Sequence, residues 1–143
     1  MSNEHTVKSY EEELRYLIDS VIKMGSLTES QLVDSMDAVI KVDKDSIDKI
    51  IKSDDEINKF RSKIDTQIMT LLVKRAPMAI DLRETISSLK ISQDLERIGD
   101  LSKSNAKKVK PLPLDLPEEL LGNLKRLGEL VIKQLNDVLD SYV

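Results

Sequence analysis

The 143-residue sequence contains no cysteine and only one histidine, His5, close to the amino terminus. Without cysteine the chain can form neither disulfides nor thiolate metal sites. A single histidine is too few for a His-rich metal site, and a terminal one is poorly placed for a catalytic triad. A carboxylate-bridged di-metal oxidase is also not expected, because that site normally needs two Glu-x-x-His pairs. Any metal site in this chain must therefore be built from oxygen ligands.

Aromatic residues are scarce, at 3% of the chain, whereas charged residues make up 34%. This composition favours an all-α helical bundle over a β-sandwich. The net charge of -4 gives no electrostatic reason to expect nucleic-acid binding. The polar amino terminus lacks the apolar segment of a signal peptide, and no apolar run is long enough to span a membrane. We therefore expect a cytoplasmic protein that does not insert directly into a membrane.

The spacing of apolar residues predicts four helices. The first covers about residues 4–41 and is expected to bend at Gly25, although Ser26 and Glu29 could instead form a capping box that starts a new helix. The second begins near residues 42–46, where Asp43 or Asp45 can cap its amino terminus. It buries a stripe of isoleucines and leucine that also includes two charged residues: Ile47, Ile50, Asp54, Ile57, Arg61, Ile64, Ile68 and Leu71.

The second helix is predicted to end near Arg75, before a tight turn at Ala76. The third follows from Pro77 to Val109, and its apolar positions predict a seam through Leu82, Ile86 and Leu89, with a second stripe at Ile91, Leu95 and Ile98. A proline-rich segment interrupts the pattern at 111–116. A capping box of Asp115 and Glu118 is predicted to start the fourth helix, which runs to the carboxyl terminus.

Residues 24–39 and 127–142 form an internal repeat at a constant offset of 103 positions. Six of the sixteen aligned residues are identical, including a glycine, a glutamine and two aspartates that do not belong to an obvious apolar seam. The pattern predicts an antiparallel three-helix bundle at 1–110, a linker at 111–116, and the first helix of a second bundle at 117–143. The fourth helix would then belong to an incomplete second repeat, which suggests a truncated chain.

The heptapeptide DLERIGD, residues 94–100, places Glu96 and Asp100 one helical turn apart, beside Gly99. Like charges at this spacing repel each other, and glycine weakens a helix. Across the turn at Ala76, the second and third helices should run antiparallel. Asp54 lies 22 residues before that turn and Ile98 lies 22 after it, so Asp54 should be level with the two acids. Asn58 falls at nearly the same height.

Three carboxylates and an amide at one height indicate either a cation site or a neutralised patch. Oxygen ligands without histidine or cysteine suit hard cations such as Mg²⁺, Ca²⁺ or Mn²⁺, with ferric iron as a further candidate. In the alternative, Arg61, Arg97 and Lys103 neutralise the carboxylates as ordinary ion pairs, or the carboxylates face water. The glycine likewise allows two interpretations, close helix packing or space for a ligand.

Several motifs resemble the PhoU family of phosphate-transport accessory and signalling proteins. Residues 76–109, APMAIDLRETISSLKISQDLERIGDLSKSNAKKV, are similar to the third helix of that family. The pair MG at 24–25 and the segment SDDEIN at 53–58 also fall where the family has counterparts. The resemblance implies two three-helix repeats, of which this chain contains the first and the start of the second.

The resemblance also implies sites and partners. The family's E/DxxxD motifs bind metal ions, which assigns Glu96, Asp100, Asp54 and, more weakly, Asn58 as ligands of Mg, Mn, Fe or Zn. Asp94, Arg97, Gly99 and Arg61 would have supporting roles. Two departures, an amide at Asn58 and Leu101-Ser102 in place of the family's His-Ala, leave open that no metal binds. Family members are non-enzymatic, so the implied function is that of an adaptor between a phosphate-specific ABC transporter and a sensor histidine kinase. The resemblance also implies a homodimer. The alternative is a helical interaction or oligomerisation module without a metal or signalling role.

Overall fold

A computed structural model describes residues 2–77 and 80–142, with side chains from residue 8 onward, so that of His5 is outside the description. The described residues form four helices and no strand, which confirms the all-α prediction. These helices are α1 (Ser2–Lys41), α2 (Ile47–Arg75), α3 (Ile80–Lys108) and α4 (Glu118–Tyr142). None of them, within the described residues, is apolar over a length that would cross a membrane.

Helix α1 is the centre of the architecture, because it contacts each of the other three helices. Helices α1, α2 and α3 all pack against one another and form the predicted three-helix bundle, whereas α4 packs mainly along α1. The α2–α3 connection begins with Ala76, whose left-handed backbone (φ 44°) lets its N–H donate to the carbonyl of Leu72 at 3.2 Å. Such a left-handed residue is a common way to end a helix, and it confirms the predicted tight turn.

Helix α1 continues without interruption through Gly25, so the alternative in which a new helix starts at Ser26 is wrong. The hydroxyl groups of the segment where the new helix would start donate instead to the preceding helical turn. Ser26 Oγ donates to the Ile22 carbonyl at 3.3 Å, and Thr28 Oγ1 donates to the Met24 carbonyl at 3.0 Å. Bonds of this type satisfy hydroxyls inside a helix rather than starting one.

Two predicted helix starts also differ from the structure. Helix α2 begins at Ile47, because Asp43 accepts the N–H groups of Asp45 and Ser46 and so holds a turn that precedes the helix. Helix α4 begins at Glu118, two residues later than the capping box with Asp115 requires. Pro117 lies immediately before it, and its carbonyl accepts the Leu121 N–H at 3.1 Å.

The third helix is described from Ile80, and Met78 and Ala79 of its predicted start lie outside the described residues. Its buried face differs from the prediction. Leu82 is 39% exposed, and the buried residues are mostly small: Thr85, Ser88, Ser92, Leu95, Gly99, Ser102 and Ala106. Small side chains let the helix lie close to its neighbours, and the hydroxyls donate to carbonyls of their own helix. Residues with hydroxyl groups therefore form much of the buried face of α3. The spacing of apolar residues could not predict this face.

The core is divided into two apolar clusters. The larger is centred on Leu17, Val21 and Met24 of α1 with Ile57, Ile64 and Ile68 of α2 and Leu95 of α3. The smaller contains Ala38, Val42, Ile47, Ile50, Ala106 and Val109. The predicted buried stripe of α2 is confirmed, and it includes Asp54 between the isoleucines of the two clusters. A polar layer thus separates the clusters at the height of Asp54.

The α1–α4 contact is built from equivalent residues of the internal repeat. A Cβ atom added to Gly25 would lie 2.5 Å from Leu139 Cδ2, and one added to Gly128 would lie 2.6 Å from Met36 Cε. Gly128 is the repeat mate of Gly25, and Leu139 is the repeat mate of Met36. The two helices therefore cross antiparallel with a local twofold relation, in which each glycine receives the side chain of the other segment.

Candidate functional site

Asp54 is the buried member of the predicted acidic group. Its side chain is only 1% exposed, because its position on α2 continues the stripe of Ile50 and Ile57 that faces the core. Burial of a carboxylate is costly unless hydrogen bonds and a positive charge compensate. The surroundings of Asp54 therefore decide what this site can bind.

Both carboxylate oxygens of Asp54 accept hydrogen bonds from other residues. Gln31 of α1 donates from Nε2 to Oδ1 at 3.3 Å and also to the Gly99 carbonyl of α3 at 3.0 Å. Asn58 donates from Nδ2 to Oδ2 at 3.3 Å, one turn along α2. Lys103 of α3 donates from Nζ to the same Oδ2. The carboxylate therefore links all three helices of the bundle.

Lys103 also joins Asp100 to this group, with 3.0 Å between Nζ and Oδ1. The hydrogen bond that Lys103 donates to Asp54 raises the pKa of the Lys103 ammonium, so the cation is favoured. Its side chain is 24% exposed, while Asp100 lies mostly in solvent. Two carboxylates and one ammonium leave this group with one net negative charge.

Glu96 belongs to a separate ion pair. Its Oε2 lies 3.5 Å from Nε of Arg61, which also pairs with Asp65 along α2. The predicted neutralisation by Arg61 is therefore present, but it acts on Glu96 rather than on Asp54. Of the other three predicted supporting residues, Asp94 and Arg97 are exposed and Gly99 is buried. The structure thus brings Asp54, Asn58 and Asp100 around Lys103 and places Glu96 with Arg61.

Gly99 lies where α3 approaches α2 closely. A Cβ atom at this position would be 3.1 Å from Ile57 Cδ1 and 3.4 Å from Asp54 Oδ1. The first distance is tighter than ordinary van der Waals contact, so the glycine supports close helix packing rather than an open space for a ligand. It also leaves its carbonyl within reach of Gln31.

The residues that the structure describes contain no group of three or more acidic or histidine side chains that could hold a metal ion. The groups that contact Asp54 are two amide N–H groups and an ammonium, which present hydrogens to the carboxylate. Gln31 Oε1 is buried without a hydrogen-bond partner among the described residues, but Lys103 already bridges Asp54 and Asp100. The arrangement therefore does not fit a divalent ion while Lys103 remains in place. Metal binding by Glu96, Asp100, Asp54 and Asn58 stays a prediction.

Sequence reasoning missed one member of this site. Gln31 appeared only as an unexplained identity of the internal repeat, matched by Gln134, and its contact with Asp54 spans 23 positions of the chain. Lys103 was anticipated as a neutralising group, but its double contact with Asp54 and Asp100 was not. The repeat identity was the one available signal for Gln31, but it did not distinguish Gln31, which is buried, from Gln134, which is exposed.

Comparison with known protein families matches residues 21–109 to the PhoU domain. Two similar relatives are described as phosphate-specific transport system accessory protein PhoU homologues. The one from Caulobacter vibrioides is 39% identical over 140 residues, covering 97% of this chain and 61% of the relative. The one from Rhizobium meliloti is 38% identical over 143 residues, covering 99% and 60%, respectively.

The fold is similar to a solved structure, that of the phosphate transport system regulatory protein PhoU from Streptococcus pneumoniae. The two share 32% sequence identity with a TM-score of 0.83, covering 92% of this chain and 62% of that one. The chain thus spans about 60% of the length of the relatives it matches.

Proposed function

The chain belongs to the PhoU family, and from this membership we propose that it regulates phosphate uptake and the phosphate-starvation response. The observation that carries the proposal is the match of residues 21–109 to the PhoU domain, together with relatives named as accessory proteins of a phosphate-specific transport system. The role is regulatory rather than catalytic. It is exerted in the cytoplasm through contact with other proteins.

The proposed partners are a phosphate-specific ABC transporter and a sensor histidine kinase, which the protein connects as an adaptor. The described helices offer the surface for such contacts, since they expose apolar side chains outside both core clusters: Met69, Val73, Ile80, Leu101, Leu127, Leu130 and Val138. Exposed apolar groups of this kind are common at surfaces that bind other proteins. Asp54 lies inside the bundle, so its role in this proposal is to stabilise the bundle rather than to contact the partners.

A reporter for the phosphate-starvation response tests this function in the organism of origin. We expect deletion of the gene to activate the reporter in phosphate-rich medium, and the intact gene to restore repression. Leu17→Asp, which places a carboxylate in the core, is the matched control that should fail to restore it. The proposal would be contradicted by a silent reporter in the deletion strain together with no effect of the purified protein on the transporter ATPase or the kinase.

A helical oligomerisation module is the second candidate function, and one observation favours it. Helix α4 exposes a row of apolar residues beside its contact with α1: Leu120, Leu127, Leu130, Val131 and Val138. If this face forms a homodimer, sedimentation should show a dimer that Leu127→Glu with Leu130→Glu dissociates. Lys133→Glu, on the exposed side of the same helix, is the control that should leave the dimer intact. A monomeric wild-type protein would eliminate this candidate.

A further inference from the structure

We propose that Lys103 is the resident cation of this bundle: its ammonium takes the position between Asp54 and Asp100 that a metal ion would need, and makes the fold independent of divalent ions. The proposal concerns the acidic site alone and does not depend on the regulatory role. The acidic motif of the sequence predicts a metal site. The groups that contact Asp54 are instead hydrogen-bond donors.

The buried carboxylate of Asp54 requires a positive charge beside it. With 1% of its side chain exposed, water cannot compensate the ionised carboxylate. The amides of Gln31 and Asn58 supply hydrogen bonds without charge. Among the described residues, Lys103 is the cation that forms a salt bridge with Asp54. A buried acid with two neutral donors and one ammonium is fully compensated and needs no further ion.

Lys103 lies on α3 beside the acidic motif that would otherwise bind metal. It lies three residues after Asp100, so the two side chains share one face of α3 and meet at 3.0 Å. From that position it reaches across to α2, 49 residues away in the chain. The ammonium therefore bridges two carboxylates from two helices, which is the geometry that a bridging cation would adopt.

The contact between Lys103 and Asp54 lies between the two apolar clusters of the core. The α2 residues of the smaller cluster precede Asp54 and those of the larger cluster follow it, and Gly99 lies opposite on α3. A charged pair between two apolar clusters disfavours sliding of one helix past the other, because any shift would bury an unpaired charge. Lys103 thus sets the register of α2 and α3 as well as neutralising the acid.

Thermal unfolding with and without metal tests the proposal on the purified chain after treatment with a chelator. MnCl₂, MgCl₂ and ferric citrate are added separately, and the melting temperature of the wild type should change by less than about 1 °C. In Lys103→Met, which keeps the length of the side chain but removes its charge, we expect a melting temperature lower by about 5 °C without metal. At least one of the ions should restore most of that loss.

Two controls separate this effect from general destabilisation. Lys107→Met removes an exposed lysine one turn along α3 and should behave as the wild type. Lys103→Met combined with Asp54→Asn removes both charges and should lose the response to metal. If Lys103→Met does not fold, calorimetric titration of the wild type decides alone: no heat of binding supports the proposal, and saturable binding overturns it. An equal response to metal in wild type and Lys103→Met, or none in either, would also overturn it.

Discussion

Helices α1 and α4 carry the same sequence pattern and experience different surroundings. Leu17 and Met24 of α1 are fully buried, whereas the residues 103 positions later, Leu120 and Leu127 of α4, are 45% and 58% exposed. The reason is the set of neighbours: α1 contacts α2, α3 and α4, while α4 contacts α1. An amphipathic pattern therefore indicates which face a helix can bury. Whether that face is buried depends on the helices that pack against it.

The glycines of the repeat are the exception to this contrast, because they have the same environment in both helices. Gly25 lies against Leu139 and Gly128 lies against Met36, at nearly identical distances. This symmetry is possible because the contact joins the two repeat segments to each other rather than to other helices. The same substitution made at matching positions of α1 and α4 can therefore be compared by its effect on the free energy of unfolding. A difference between the two effects comes from the neighbouring helices, and an equal effect comes from the local sequence.

The largest expected difference is between Leu17→Ala and Leu120→Ala. Truncation of the fully buried Leu17 should lower the free energy of unfolding by about 2–5 kcal/mol, since it removes apolar contacts and leaves a cavity. Truncation of Leu120 should change it by about 0.5 kcal/mol, as is usual for exposed positions. Chemical denaturation of the two variants measures both values. Equal losses would show that the exposed face of α4 is covered in solution, and the comparison would no longer hold.

The glutamine mates give the next largest effect. Gln31→Ala leaves the Gly99 carbonyl and one oxygen of Asp54 without this donor inside the bundle, which should cost about 1–3 kcal/mol. Gln134 is exposed, so Gln134→Ala should stay within about 0.5 kcal/mol of the wild type. Equilibrium unfolding in urea distinguishes the two. A Gln31→Ala protein as stable as the wild type would show that water replaces the lost hydrogen bonds.

The sequence predicted the bundle and the buried stripe of α2 because isoleucines recur there at helical spacing, with Asp54 in phase. It also predicted that Asp54 and Asp100 would be level, since two antiparallel helices with a tight turn fix that height. On α3 the apolar spacing predicted Leu95, which is buried, but not the other buried residues of the helix. These are serine, threonine, glycine and alanine, and their burial depends on how closely α1 and α2 approach.

The partners of the acidic side chains were the least predictable feature of the site. A lysine side chain is long enough to reach any of several nearby carboxylates. Lys103 forms ion pairs with both Asp54 and Asp100, whereas Glu96 pairs with Arg61. Spacing in the sequence gives the height of each residue but not the direction of its side chain. The choice between a metal and an internal ammonium depends on that direction.

Substitution of the glycines by alanine is expected to have a smaller effect that depends on position. No heavy atom lies within 4 Å of a Cβ added to Gly122, so Gly122→Ala should stabilise the protein by up to about 1 kcal/mol through helix propensity. At Gly25 and Gly128 the added methyl meets a side chain, so both substitutions should lose this gain. Thermal unfolding of the three variants tests whether Gly25→Ala and Gly128→Ala respond alike. Unequal responses would contradict the local twofold relation.

The smallest expected effect concerns an ion pair that α1 has and α4 lacks. Arg75 of α2 donates to both carboxylate oxygens of Glu13, at 2.9 and 3.2 Å. The residue 103 positions after Glu13 is Leu116, which precedes α4 and has no charge. The hydrogen bond from Arg75 holds the pKa of Glu13 below its ordinary value of 4.5. Because the folded-state pKa is lowered, the pair stabilises the protein above pH 4.5, and this contribution is lost as the pH falls through the lowered pKa.

Glu13→Gln should therefore be less stable than the wild type near pH 7, and the difference should disappear in acid. The side chain of Glu13 is partly exposed, so solvent screening keeps the effect smaller than those of the glycine substitutions. Urea unfolding at a series of pH values measures it, with Glu12→Gln at an exposed neighbouring position as the control. A difference that persists unchanged in acid would mean that Glu13 stabilises α1 through packing rather than charge. The additional contact of α1 with α2 would then be apolar in origin, like the contact of Leu17 and Val21 with the isoleucines of α2.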